Sequence, residues 1–153
     1  MFNPPAKQAR EFSPKEEHAM PSLAGINWIA VLAGVVFSNA LGFLWYGPLF
    51  SKPWLKALGK TEAEVQGSPT MYIVTLVTSF ITMIVLAMAV NAFGSAGLLA
   101  GAVLGAVLNV GLVGTASYVS TLFEGRSNTL WWINALYNFV VFVVMGAVLA
   151  IWK

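Results

Sequence analysis

The 153-residue sequence contains no cysteine and few charged residues. Without cysteine the chain has no disulfide, no thiolate nucleophile and no cysteine-ligated metal site. Only 9% of its residues are Asp, Glu, Lys or Arg, whereas soluble globular domains carry about 25%. Hydrophobic residues make up 58% of the chain. This balance predicts a protein that is mostly embedded in a lipid bilayer.

Charge is also missing from the places where membrane proteins use it. Three segments, 19–51, 65–123 and 127–152, contain no Asp, Glu, Lys, Arg or His. Proton relays and ion-coupled carriers usually need such a residue at membrane depth. The remaining acids and the single histidine, His18, form no carboxylate pair, Ser–His–Asp set or metal-ligand spacing. We therefore expect no enzyme activity, no catalytic residue, no bound metal and no cofactor.

The uncharged segments hold four apolar stretches of membrane-spanning length. A transmembrane helix needs about 20 residues to cross a hydrocarbon core about 30 Å thick. The middle segment is long enough for two helices, which the glycines of NAFGSAG (91–97) would separate. The predicted fold is all-α, an integral-membrane four-helix bundle. Its spans are expected at about 26–46, 70–93, 96–122 and 129–152.

The sequence outside the spans divides into a tail and one sizeable loop. Residues 1–22 are a polar, proline-containing N-terminal tail, and residues 23–153 form the predicted four-helix domain. Residues 47–69 are expected to form a loop at the membrane interface. Four spans would place both termini on the same side. The basic residues are Lys7, Arg10, Lys15 and Lys153 on that side and Lys52, Lys56, Lys60 and Arg126 on the other. This even division leaves the orientation open, because the positive-inside rule needs an excess on one side.

Aromatic residues, prolines and lysines collect where the spans are expected to end. In GFLWYGPLFSKPWLKALGK (42–60), Gly47 and Pro48 would end the first helix, since proline lacks an amide hydrogen. Residues 51–59 are predicted to form a short amphipathic helix on the membrane surface. The expected interface anchors are Trp28, Trp45, Tyr46, Pro48, Lys52, Trp54, Lys56, Trp131, Trp132 and Trp152. Anchoring at the lipid headgroups is one interpretation, and a gate or headgroup-binding site is the other.

Small residues recur every four positions along the first and third predicted spans. Lipid tails provide no hydrophobic drive for helix association, so close backbone contact through small residues takes its place. This pattern, of the glycine-zipper type, predicts tight helix–helix contacts within the chain or with another subunit. The predicted packing residues are Ala30, Gly34, Ser38, Gly42, Gly97, Gly101, Gly105 and Gly146.

Polar side chains inside the spans are the candidates for function. An amide buried without a hydrogen bond costs about 2–7 kcal/mol, so each must find a partner. The expected interior polar residues are Asn39, Asn109, Tyr118, Asn134, Tyr137 and Asn138. Hydrogen bonds between helices are one interpretation. The other is a small polar pocket that would bring Asn39, Asn109, Tyr118 and Asn138 together, with Ser117 beside them.

Three sequence blocks resemble a known family. INWIAVLAG, LGFLWYGPLFSKPWLKALGK and LFEGRS…LWWINALYNFVVFVVMGAVLAIW are similar to the bacterial membrane proteins grouped as domain-of-unknown-function family 1761. The similarity covers about residues 26–152, and the block Trp-Tyr-Gly-Pro-Leu-Phe-x-Lys-x-Trp is its most specific part. The resemblance implies a four-span protein of the bacterial inner (cytoplasmic) membrane and implies no activity.

These observations favour a non-catalytic accessory or structural subunit. It would pack against partner transmembrane helices in a larger membrane complex, with the tail and the segment 52–60 making surface contacts. The alternative is a small carrier or binder of an uncharged or lipid-like molecule that acts as a homo-oligomer. A membrane enzyme is a third, weaker hypothesis. The expected partners are the lipid bilayer and protein helices, and the net charge of +2 without a basic cluster indicates no nucleic acid.

Overall fold

The computed structural model describes residues 22–152; residues 1–21 of the predicted tail and Lys153 lie outside the described part. Within 22–152 the chain forms helices and no strand, which confirms the all-α prediction. The α-helices are α1 (Trp28–Leu44), α2 (Ser51–Leu58), α3 (Pro69–Ala92), α4 (Leu98–Leu108), α5 (Thr115–Phe123) and α6 (Asn128–Ile151). Shorter helical turns occupy Trp45–Leu49, Glu62–Val65 and Asn109–Gly114.

Four helical stretches are long and apolar enough to cross a membrane, judged by their length and composition. They are Trp28–Leu49, Pro69–Ala92, Leu98–Phe123 and Asn128–Ile151, close to the predicted bounds. The third span combines α4, a π-helical turn and α5. Each span crosses the bundle in turn, so successive spans run antiparallel. The architecture is that of a multi-pass membrane protein.

Helix ends coincide with capping residues and breakers that the sequence supplies. The Asn27 side chain accepts hydrogen bonds from two amides in the first turn of α1, at 3.0 and 3.1 Å. The Ser68 hydroxyl caps α3 in the same way, ahead of Pro69. α1 ends at Leu44, and the backbone of Gly47 leaves the helical region, with ψ at −106°. The chain thus turns at Gly47, as the sequence indicates.

The loop between the first two spans contains the expected amphipathic helix. In α2, Trp54 is half-buried while Lys52 is exposed, and the helix ends at Gly59 in the left-handed region, with φ at +69°. The following turn is capped by Thr61, whose hydroxyl and amide donate to the Glu64 carboxylate at 2.6 and 2.7 Å. These hydrogen bonds hold the pKa of the Glu64 carboxyl below its ordinary value.

The third span departs from the continuous helix expected over 96–122. After α4 the backbone widens into a π-helical turn at Asn109–Gly114 before α5 continues the span. The sequence NVGLVG places two glycines in this turn. The Thr115 hydroxyl donates to the carbonyl oxygen of Gly111 at 2.7 Å. A threonine side chain thereby supplies a donor to the irregular backbone inside the span.

The core occupies one half of the bundle. Its largest fully buried side chains are Val31 of α1 and Met83, Leu86 and Val90 of α3. The second half of α6 joins them through Met145 and its neighbours. In an antiparallel bundle these parts of α1, α3 and α6 lie at the same level, on the side where α1 begins and α3 ends. We call this level the closed half.

The other half of the bundle is open. Residues 69–78, the first half of α3, are exposed on every face of the helix, and so are residues 115–120 of α5. These two segments lie at the level of α2 and the start of α6 but do not pack against each other. We call this level the open half.

Candidate functional site

The end of the first span is tied to α6 by two aromatic side chains. The Trp45 indole Nε1 donates to the Ile133 carbonyl oxygen at 3.1 Å, and the Tyr46 hydroxyl donates to Asn134 Oδ1 at 3.0 Å. The Tyr46 ring also lies against Trp54 of α2, with ring centroids 5.3 Å apart. The sequence predicts headgroup anchors here, whereas the polar atoms of Trp45 and Tyr46 bond to α6. They therefore hold α2 and the end of span one against span four.

The other predicted anchors lie at the surface. Trp28 packs near Phe80 with ring centroids 6.5 Å apart and remains partly exposed. Exposed positions are also found for Pro48, Lys52, Lys56, Trp132 and Trp152. Trp131 instead donates through Nε1 to the Ser117 hydroxyl at 3.1 Å, which links α6 to α5.

Some of the predicted interior polar residues form hydrogen bonds between helices. The Tyr137 hydroxyl donates to the Ser38 carbonyl oxygen at 2.8 Å, joining α6 to α1. Asn39 Nδ2 donates to the Val35 carbonyl of its own helix at 2.8 Å and to the Ser79 hydroxyl of α3 at 3.4 Å. These side chains fix neighbouring helices and are not available to a ligand.

The predicted polar pocket does not form as a single site. Asn39 lies between α1 and α3, and Asn138 Nδ2 donates to the Asn134 carbonyl within α6 at 3.0 Å. Tyr118, expected in the interior, is a surface residue with 38% of its area exposed. Ser117 accepts the Trp131 hydrogen bond. Of the four residues predicted for this pocket, Asn109 and Tyr118, both in the third span, line a common cavity.

Asn109 is the exceptional polar residue. It begins the π-helical turn and is only 3% exposed. Its Nδ2 atom has no hydrogen-bond partner among the described residues. A buried unpaired donor carries its full desolvation penalty, about 1–3 kcal/mol. Native proteins leave few such groups, and π-helical turns occur frequently at functional sites.

A groove of about 420 Å³ opens beside Asn109, between the π-helical turn with α5 on one side and α6 on the other. Its lining is almost entirely apolar. The lining residues are Asn109, Val110, Gly114, Thr115, Tyr118, Trp131, Trp132, Ala135, Leu136 and Phe139. No Asp, Glu, Lys, Arg or His is among them. We call this the Asn109 groove.

The α6 wall of the groove was not recognised as a site in the sequence. Trp132, Ala135, Leu136 and Phe139 follow the spacing i, i+3, i+4 and i+7, so they share one face of α6. That spacing indicates a shared apolar face. In a membrane span, lipid-facing and ligand-facing apolar stripes have the same composition, so the spacing does not show which of the two this face meets.

The small residues of α4 and α6 meet in a very close contact. A Cβ atom at Gly101 would overlap the Gly146 carbonyl oxygen, and one at Gly105 would overlap the Phe142 carbonyl oxygen. Gly146 faces the Gly101 backbone in return. Any larger residue here would force the two helices apart.

The remaining predicted packing residues have different surroundings. Ala30 and Ser38 are buried, and a Cβ at Gly34 would lie 2.7 Å from side-chain atoms of Met83 and Met145. A Cβ at Gly42 would lie 3.4 Å from the Tyr137 hydroxyl. Gly97 is an exception: it is exposed, has φ at +88° and serves as the cap of α4, so its role is to turn the chain.

Between residues 22 and 152, charged groups lie in the connections that join the spans. Arg126 pairs with Glu124 in the turn before α6, and both side chains are exposed. Among residues 22–152, no three acidic or histidine side chains come together as a metal site. Polar chemistry in the membrane-spanning part therefore rests on amides and hydroxyls.

Comparison with known proteins identifies a family. The model of the family described as "Protein of unknown function (DUF1761)" matches residues 29–150. This range includes nearly all of the four spans and confirms the resemblance seen in the sequence. No curated protein and no solved structure matches the chain.

Proposed function

This chain belongs to the family of proteins of unknown function DUF1761, and we propose that it is a non-catalytic subunit of a larger complex in the bacterial inner membrane. In this role it packs against transmembrane helices of a partner protein. The open half of the bundle is the observation that carries the proposal.

The open half offers two uncovered helix faces at the same level. Ile73 and Val77 of α3 and Val119 of α5 are each more than half exposed. The Thr75 hydroxyl on α3 donates to the Met71 carbonyl at 2.8 Å, so it needs no partner of its own. The exposed hydroxyls of Thr115, Ser117 and Ser120 on the other face likewise donate to carbonyls of their own span, so contact with a partner helix can rest on dispersion. A helix entering between α3 and α5 would contact both.

Surface contacts would complete the interface. The lysines of α2 point away from the bundle, and Lys60 follows in the loop. These cations would face acidic groups of a partner or of lipid headgroups. The polar tail, residues 1–22, would supply a second contact segment in the same proposal.

Site-directed photo-crosslinking tests this proposal. Because the sequence contains no cysteine, only the introduced cysteine of each variant is labelled. Val77→Cys and Val119→Cys would be labelled with a benzophenone maleimide in native membranes and irradiated. Both positions should give an adduct with the same protein, because one helix would fill the opening. Val36→Cys, on an exposed face of α1, is the matched control and should give no such adduct.

The size of the adduct decides between interpretations. One discrete heterologous adduct at both test positions supports the subunit role. An adduct of twice the chain mass would show a homo-oligomer and overturn the proposed hetero-complex. Labelling at Val77 and Val119 no different from Val36 would mean that lipid covers the open half.

The second candidate function is a carrier or binder of an uncharged or lipid-like molecule, acting as a homo-oligomer. The unpaired Asn109 amide beside an apolar groove favours it. The groove shares Thr115 and Tyr118 of α5 with the open half, but Val77 and Val119, where the subunit role is tested, do not line it, so the two can be tested separately.

A further inference from the structure

We propose that the Asn109 groove is a binding site for an uncharged, planar carbonyl compound dissolved in the bilayer, of the quinone class. The amide of Asn109 turns toward the groove when the ligand enters, the carbonyl oxygen accepts a hydrogen bond from Asn109 Nδ2, and the ring lies among the aromatic side chains of α6. This inference rests on the second candidate function and not on the subunit role, whose test positions Val77 and Val119 lie outside the groove lining.

The amide sets the first requirement. Asn109 Nδ2 is a buried donor without a partner among the described residues, and Asn109 lines the groove. An occupant with an acceptor oxygen would remove the cost of this unpaired donor. An occupant without one would leave that cost in place, so the site discriminates between the two.

Depth sets the second requirement. Asn109 is the twelfth residue of the span that begins at Leu98, which places it about 16 Å along the helix at about 1.5 Å per residue. This is near the middle of a hydrocarbon core about 30 Å thick. A phospholipid at that depth presents only its acyl chain. The acceptor must therefore belong to a molecule that enters the hydrocarbon whole, and a charged molecule would not do so.

The walls set the third requirement. Trp131, Trp132 and Phe139 contribute aromatic surface, which favours a flat ring through stacked or edge contacts. The volume of about 420 Å³ lies in the lower part of the range of small-molecule sites, about 300–1,000 Å³. The lining contains no charge, in keeping with a neutral ligand.

A second copy of the chain fits this site less well. Asn109 lies at the floor of the groove, whereas Val110, Trp132 and Leu136 stand exposed around it. Close approach of a helix backbone needs small residues at the contact. The large side chains around Asn109 would hold a neighbouring helix away from the amide but leave room for a ring.

Binding can be measured with the full-length protein in phosphatidylcholine nanodiscs. The probe is decylubiquinone, followed through quenching of tryptophan fluorescence, and decylbenzene is the ring compound without acceptor oxygens. Saturable quenching by decylubiquinone is expected, with decylbenzene at least tenfold weaker. Asn109→Leu should weaken decylubiquinone binding at least tenfold. Asn138→Leu is the matched control, since Asn138 bonds within α6, and it should leave binding unchanged.

A second variant tests the location independently of the amide. Ala135→Phe fills the groove from α6 without altering Asn109 and should also abolish saturable quenching. Loss of binding in both variants, with unfolding temperatures no lower than that of Asn138→Leu, supports the site. Unchanged binding in Asn109→Leu overturns the role of the amide. The proposal also fails if decylubiquinone does not saturate, or if Val110→Cys forms a disulfide with a second copy under oxidation.

Discussion

At the scale of single residues, hydrogen-bond partners separate the polar side chains of the spans into two kinds. Tyr46, Tyr137 and Asn39 each donate to an atom of another helix, at 3.0, 2.8 and 3.4 Å. Asn109 has an unpaired donor instead. The first kind stabilises the bundle at a modest gain per bond, about 0.6–1.7 kcal/mol. The second kind costs stability and is better explained by a ligand.

The Tyr46–Asn134 bond gives a prediction at this scale. Tyr46→Phe and Asn134→Ala should each destabilise the protein, and a double-mutant cycle should show a coupling free energy of about 0.6–1.7 kcal/mol. The coupling is expected because both changes remove the same hydrogen bond. Titration of the detergent-solubilised protein with sodium dodecyl sulfate measures it.

Tyr72→Phe is the control for this cycle, because Tyr72 is an exposed residue of α3 with no hydrogen bond to Asn134. Its effect should add to that of Asn134→Ala. A coupling near zero between Tyr46 and Asn134 would show that the bond in the structure does not contribute to stability.

At the scale of elements, backbone packing determines how closely two helices approach. The α4–α6 contact depends on Gly101 and Gly105 facing Gly146 and the Phe142 backbone. The same span then widens at Asn109–Gly114, and the exposed residues 115–120 of α5 contact α6 through Ser117 and Tyr118, which lie against Trp131. One span therefore holds a tight seam in the closed half and a groove wall in the open half.

The close contact between α4 and α6 at Gly101 and Gly146 gives a prediction with an internal control. Gly101→Ala should destabilise the protein by about 1–3 kcal/mol, because the added methyl group would overlap the Gly146 carbonyl oxygen. Gly111→Ala adds the same group on the same span, where no atom beyond the adjoining residues and the backbone of its own helical turn lies within 4 Å of it. The free energy of unfolding of Gly111→Ala should be unchanged or raised by up to about 1 kcal/mol, since alanine favours helix.

Unfolding in detergent distinguishes the two variants. A Gly101→Ala protein as stable as Gly111→Ala would mean that α4 and α6 do not approach at this point. Such a result would indicate that the small residues of α4 lie at the surface of the bundle and do not pack against α6.

At the scale of the whole molecule, the bundle is asymmetric across the membrane. The closed half holds the core, and the open half holds the uncovered faces and the groove. The interfacial helix α2 lies at the level of the open half, held to α6 through Trp45 and Tyr46. Both proposals therefore concern the same side of the protein.

Antiparallel spans predict a definite labelling pattern. Single cysteines at Lys60 and Arg126 should react with a membrane-impermeant maleimide from one side, and cysteines at Ser22 and Ser95 from the other. The two connections that contain Lys60 and Arg126 follow an odd number of spans, whereas Ser95 follows an even number. Labelling of intact and of opened cells, compared for each variant, measures the sidedness.

Labelling of the Ser95 and Arg126 variants from the same side would mean that the third span does not cross. The parent chain contains no cysteine, so it serves as the background for every variant. The pattern also assigns the orientation, which the even distribution of basic residues leaves open.

The all-α class, the number of apolar spans and the approximate ends of those spans can be predicted from the sequence. Hydrocarbon excludes charge and requires about 20 apolar residues per helix, and these conditions act on each segment separately. Gly47, Pro48, Asn27 and Ser68 mark ends by local geometry in the same way. The small-residue stripes marked candidate surfaces for close helix approach.

Which of these surfaces meet follows from the packing of the folded bundle and cannot be predicted from the sequence. Gly97 belongs to the same stripe as Gly101 yet caps a helix, and Asn138 belongs to the same polar set as Asn109 yet bonds within α6. The hydrogen-bond partner of a side chain depends on the rotation and separation of neighbouring helices. Those quantities come from packing over the whole bundle, where the widening of one turn at Asn109 is enough to open a groove.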